Sequence, residues 1–175
     1  ALAHNNGTAS IHSALFAIGV GPGDEVITTV ATFWGTYMPI LSSQAIPVFC
    51  DIDPFTGCPD PADVEQRISP NTKAVIVVHL GGMPAEMDAI MEVSRRHNLI
   101  VVEDCSHAHG ATYKGQKVGT IGDIGCFSMQ AGKLLPSGEG GVMITNNLDW
   151  HERAICLGHY ERISKLSNPD YHKYS

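Results

Sequence analysis

Apolar runs alternating with helix-period segments predict an α/β protein: a mostly parallel sheet flanked by helices. Three observations carry this reading. Residues 73–80 and 99–103 are near-continuous apolar runs, as expected of strands covered on both faces. Between them, residues 85–97 place Met87, Ile90, Met91 and Ser94 at helical spacing. Glycine–proline punctuation such as Gly19-Val20-Gly21-Pro22-Gly23 separates helical from extended patterns.

Taken in order, a first helix is expected over residues 8 to about 18, with Ile11, Leu15 and Ile18 on one face. The Gly19–Gly23 run ends it. A strand follows at Glu25–Thr29, a helix at 33–43, a strand at 46–51 and a short helix at 61–68. After the two buried strands, Val118 and residues 124–129 and 142–145 read as short strands, and 149–157 as the last helix. Residues 164–175 are polar and aromatic without a period. No repeat, low-complexity segment or linker divides the chain, so residues 1–175 read as one domain.

Composition removes several classes of function. With 43% hydrophobic and 17% charged residues, the chain is not of the disordered type. No apolar stretch approaches the ~20 residues of a membrane span. Eleven Lys+Arg against 18 Asp+Glu give a net charge of −7, a poor match for nucleic acid. The five cysteines are an odd number without C-x-x-C spacing, which excludes a disulfide framework or zinc ribbon and favours the cytosol. The start lacks both an initiator Met and the charged and apolar regions of a signal peptide. The chain is therefore expected to be processed or a piece of something longer.

In open parallel sheets ligands bind beyond the carboxyl ends of the strands, so reactive side chains there matter most. The run Ile100-Val101-Val102-Glu103-Asp104 delivers an acid at such an end. Asp104 is either a helix N-cap or a carboxylate that holds a cationic heterocyclic nitrogen. Asn5-Asn6-Gly7-Thr8-Ala9-Ser10 opens a helix and offers N–H groups to a phosphate, although plain caps look the same. Lys133 stands in a glycine-rich turn between two strands, where most lysines are merely solvated. Neither the P-loop nor the G-x-G-x-x-G pattern is met.

Cys105, His107 and His109 alternate as C-x-H-x-H, but no second cluster supplies a further ligand, and no metal is expected. His79 closes a buried strand and reads as packing as readily as substrate contact. The lysine, the acid and the helix start together fit pyridoxal 5′-phosphate, which needs an imine lysine, a partner for its pyridinium nitrogen and a phosphate cradle. Phe33 or Trp34 can supply a ring against the pyridine.

Asn6-Gly7-Thr8-Ala9, Gly21-Pro22-Gly23-Asp24-Glu25-Val26-Ile27, Glu103-Asp104, Ala108-His109-Gly110-Ala111, Gly122-Asp123-Ile124-Gly125-Cys126-Phe127-Ser128 and Gly138-Glu139-Gly140-Gly141 occur in this order. Together they resemble the DegT/DnrJ/EryC1/StrS aminotransferases, PLP enzymes of the aspartate aminotransferase fold (fold type I). The resemblance implies that Lys133 forms the Schiff base and shuttles the proton, and that Asp104 pairs with the pyridinium nitrogen. It further implies that Phe33, with Trp34 beside it, stacks on the ring and that Gly7, Thr8 and Ser128 hold the phosphate. His107 stands near the cofactor's 3-oxygen, where many members have Gln. Residues 103–109 and 128–135 look most like inosose aminotransferases of aminocyclitol and antibiotic biosynthesis, and 3-amino-5-hydroxybenzoate synthases are similar there.

The implied reaction is amination of a keto-sugar or keto-cyclitol by glutamate or glutamine, in a cytoplasmic homodimer. Family members are roughly twice as long, so a large PLP-binding domain without its C-terminal small domain is expected. Sugar dehydratases of the same family carry His in place of the lysine, and Lys133 speaks against that alternative. A non-catalytic module that keeps only the fold is the remaining one.

Overall fold

In the computed structural model, which describes residues 1–174, the chain runs β1 (Leu2–His4), α1 (Gly7–Ala17), β2 (Glu25–Thr29), α2 (Trp34–Ser42), β3 (Ile46–Cys50), α3 (Pro61–Gln66) and β4 (Thr72–Val78). It continues through α4 (Met87–His97), β5 (Ile100–Asp104), β6 (Thr112–Tyr113), β7 (Gln116–Lys117), β8 (Ile124–Ser128), β9 (Gly141–Thr145) and α5 (Leu148–Gly158). Seven strands form one sheet in the order β1-β9-β8-β5-β4-β2-β3. The neighbours from β3 to β8 are all parallel, as the buried runs predict.

The mostly parallel sheet expected from the sequence has an antiparallel edge, to which the sequence reading assigned no direction. β9 runs antiparallel to β8 because the connection between them contains no crossover helix to return the chain. β1 adds an antiparallel partner to β9, and its three residues are too few to show a period. Val118 is not a strand; it is buried just after the β6–β7 hairpin. Ser175 lies outside the described residues, and the rest of its unassigned stretch falls largely in two short 3-10 helices, Tyr160–Lys165 and Pro169–Tyr174.

Period-two alternation divides the core in two. Val26, Ile76, Val102 and Ile124 join Ile11 and Leu15 of α1 and Ile155 of α5 in one cluster. Ile27, Val75, Val77 and Val101 join Val64 of α3 and Met87 and Ile90 of α4 in the other. Leu15 is fully buried, so Leu15→Ala is expected to cost about 2–5 kcal/mol. Past α5, Ile163 is buried, and Glu152 accepts the backbone N–H groups of Ser167 (2.8 Å) and Asn168 (3.0 Å), clipping the following segment down. This sandwich leaves the ends of β5 and β8 open beside the starts of α1 and α2.

Candidate active site

Asn6 caps α1, its side-chain oxygen accepting the Ala9 N–H at 2.8 Å while its carbonyl accepts that of Ser10. The N–H groups of Gly7 and Thr8 stay outside the helical ladder, as first-turn donors do. A Cβ at Gly7 would lie 2.6 Å from Ser128 Cβ, and one at Gly35 would lie 2.5 Å from Thr8 Oγ1. Glycine is therefore required where α1 presses on the end of β8 and where α2 presses on α1. The result is a tight cradle of two free N–H groups with the Thr8 and Ser128 hydroxyls beside them, which fits a phosphate.

Asp104 ends β5 and is 5% exposed. Its Oδ2 accepts Thr36 Oγ1 at 2.8 Å and its Oδ1 accepts the Ser106 N–H at 3.0 Å. No helix follows it, so the N-cap alternative falls away. Thr36 in turn shares a 2.7 Å bond with Thr32. One bond per oxygen leaves each with capacity to spare, and the carboxylate is aimed without being saturated.

Lys133 lies in the loop between β8 and β9. That loop is held closed by Met129 N–H to the Gly140 carbonyl and Ser137 N–H to the Met129 carbonyl, both 2.8 Å. Lys133 itself donates its backbone N–H to Gln130. Phe33 and Trp34 sit at the start of α2, ring centroids 4.9 Å apart and more than half exposed. The His107 imidazole is held below its ordinary pKa by burial first and the Lys133 charge second, with Asp104 pulling the other way.

A cavity of about 620 Å³ collects these groups. Gly7, Thr8, Phe33, Trp34, Asp104, His107, Ser128 and Lys133 all line it. So do Asn6 and Glu139, which stand in the quoted motifs without an assigned role, and Thr32, Thr36, Ser106 and Gln130, to which the sequence reading gave none. Strand-end logic could have found Ser106, two residues beyond Asp104. Nothing in the sequence marks the Thr32–Thr36 pair, of which Thr36 bonds Asp104 and Thr32 bonds Thr36.

The C-x-H-x-H segment does not gather as a metal site among the described residues. Instead Cys105 comes within 4.8 Å of His79 and Glu103. Burial and the neighbouring acids push the Cys105 thiol strongly up, which keeps it protonated. Glu103 already accepts four hydrogen bonds, and so the trio offers no vacant valence.

Residues 1–169 match the profile of the DegT/DnrJ/EryC1/StrS aminotransferase family, and the chain belongs to that family. It is 51% identical over 148 residues to an L-glutamine:2-deoxy-scyllo-inosose aminotransferase of Streptoalloteichus tenebrarius, covering 85% of this chain and 35% of that protein. The aminotransferase from Psychrobacter cryohalolentis superimposes with a TM-score of 0.90 at 38% identity, over 95% of this chain and 43% of that one. A 3-amino-5-hydroxybenzoic acid synthase superimposes at 0.86 and 37% identity, over 88% and 41%. The chain thus spans little more than a third of the length of the curated relatives it matches.

Proposed function

We propose that this member of the DegT/DnrJ/EryC1/StrS family is the large, PLP-binding domain of an aminotransferase that moves an amino group from L-glutamine to an inosose-like keto-cyclitol. The observation that carries the reading is the single cavity joining a buried, unsaturated carboxylate, a loop lysine and a glycine-tight helix start. The 51% identical relative is named for the same donor and ketone class. Glutamate as donor and a keto-sugar as acceptor are the nearest variations.

When bound, PLP supplies an aldehyde carbon for amine exchange and a pyridine ring that withdraws electrons from the carbon losing its proton. The residues of this chain do the rest. Gly7 and Thr8 N–H groups, with Ser128, bind the phosphate at the positive end of α1. Asp104 keeps the ring nitrogen protonated, because an ionised carboxylate favours the opposite charge beside it. Thr36 and the Ser106 N–H hold that carboxylate in one orientation. Phe33 and Trp34 cover the ring. The Lys133 amine would hold the aldehyde carbon and would be the group that takes up and returns the proton of the donor carbon.

Phe33 and Trp34, which line the cavity, and Leu134 and Leu135, which follow Lys133 in its loop, are exposed apolar side chains, which supports a second subunit closing over them in a homodimer. The unpaired cysteines support a cytosolic setting. Similarity to the 3-amino-5-hydroxybenzoic acid synthase supports an enzyme of that kind as the second reading.

Titrating PLP into the protein is expected to raise a visible absorption band that L-glutamine bleaches. Lys133→Ala is expected to give no such band. A wild-type protein that binds PLP but is not bleached by any amino acid would remove the transferase reading, and one that does not bind it would leave the non-catalytic module.

A further inference from the structure

Directly behind Asp104, on the opposite face of β5, lies a buried ionic cluster that the proposed chemistry does not use. Glu103 is completely buried. Its Oε2 accepts His79 Nε2 at 3.0 Å and the Gly119 N–H at 2.7 Å; its Oε1 accepts the N–H groups of Ile121 (2.8 Å) and Gly122 (2.6 Å). Two donors on each oxygen saturate an ionised carboxylate. His79, equally buried, accepts the Ala85 N–H on Nδ1 at 3.1 Å. A ring whose Nδ1 accepts while Nε2 faces a carboxylate is the neutral Nε2–H tautomer.

His79 also opens the short turn Leu80–Gly82, and the far side of that turn reaches the cavity. Gly81 donates its N–H to His107 Nδ1 at 3.5 Å, and a Cβ on Gly82 would lie 3.2 Å from the His107 carbonyl oxygen. Gly81 and Gly82 both have positive φ (61° and 90°), a conformation that glycine holds without strain. The turn therefore sits tightly between the buried pair and the cavity histidine.

We propose that His79 and Glu103 are positioning residues that, through the Gly81 N–H, fix His107 as a neutral imidazole carrying its proton on Nε2, so that it serves the cavity as a hydrogen-bond donor. Where the family resemblance places an amide in many members, this chain then offers a ring N–H of fixed tautomer. Burial and the Lys133 charge favour the neutral form. Among the described residues, the Asp104 charge acts the other way and His109 the same way as Lys133, while Glu139 lines the same cavity. What His107 donates to rests on the PLP reading above; its tautomer does not.

The test is 15N–1H correlation of the ring nitrogens in the cofactor-free chain at neutral pH. Wild type is expected to show both His79 and His107 as Nε2–H tautomers, and a folded wild type with His107 protonated on Nδ1 overturns the proposal. His79→Gln keeps a donor toward Glu103, whereas His79→Leu does not. The first is expected to preserve the His107 tautomer and the second to give a mixture of both. In Glu103→Gln, an amide group faces two donors, so a tautomer mixture and about tenfold weaker PLP binding are expected, with Lys133 still trapped by borohydride. An unchanged His107 signal in folded His79→Leu and Glu103→Gln contradicts the proposal. Failure of wild type to bind PLP contradicts only the cofactor reading.

Discussion

Glu103 and Asp104 are consecutive acids on one strand, and the sheet turns them into opposites. Glu103 points into the face packed by α3 and α4, where two donors fill each of its oxygens. Asp104 points toward α1 and α2 and receives a single donor per oxygen from this chain. Both are nearly or fully buried, so burial alone does not tell a structural acid from a chemical one. Spare hydrogen-bonding capacity does. A saturated carboxylate ties loops together, and an aimed but unsaturated one is ready for a ligand.

Four substitutions or conditions press on this contrast. Glu103→Leu strands three backbone N–H groups and His79 in the interior, and urea denaturation is expected to show a loss of about 3–5 kcal/mol. Asp104→Asn should behave inversely. Its unfolding free energy is expected to stay within about 1 kcal/mol of wild type, since both bonds can persist. The amino-transfer half-reaction, followed by stopped-flow absorbance, is expected to slow about 10²- to 10³-fold. A large stability loss in Asp104→Asn would erase the distinction between the two acids.

Gly7→Ala probes the cavity side without touching either acid. The added Cβ would lie 2.6 Å from Ser128 Cβ, and both are held by backbone. A cost of about 1–3 kcal/mol is expected, together with weaker binding of inorganic phosphate by calorimetry. The smallest effect concerns pH. Burial, and then the His159 charge, push His4 from 6.5 down to about 4. The folded chain then binds fewer protons than the unfolded one across that interval, so stability present above pH 6.5 is lost as pH falls toward 4. His12, His107, His109 and His151 are lowered mainly by burial and add to the slope. His4→Phe should therefore flatten, without abolishing, the fall of the urea midpoint between pH 6.5 and 4.5. An unchanged slope would remove His4 from the account.

The buried strands were legible because continuous Val/Ile runs have few other uses, and β2, β4 and β5 lie within two residues of where the pattern puts them. The direction of β9 was not, since an apolar run carries no sign of which way its neighbour runs. On the cavity side, Asp104, Lys133 and the Gly7 helix start could be read because strand ends and glycine turns are local features. The His79–Glu103 pair could not. It depends on β4 and β5 aligning Val77 with Glu103 and Val78 with Asp104, a register set by packing across 26 residues of separation. His79 alone reads as packing as readily as substrate contact, and Glu103 alone as one more residue of a buried strand.

On the proposed function, the cavity in front of Asp104 holds PLP through Lys133. Reducing the PLP-loaded protein with borohydride, digesting it and mapping the label by mass spectrometry tests this most directly. The account predicts one stoichiometric pyridoxyl group, on the peptide containing Lys133. A label carried by Lys114 or Lys117 of the β6–β7 hairpin, or a visible band that leaves no label on Lys133, would contradict it.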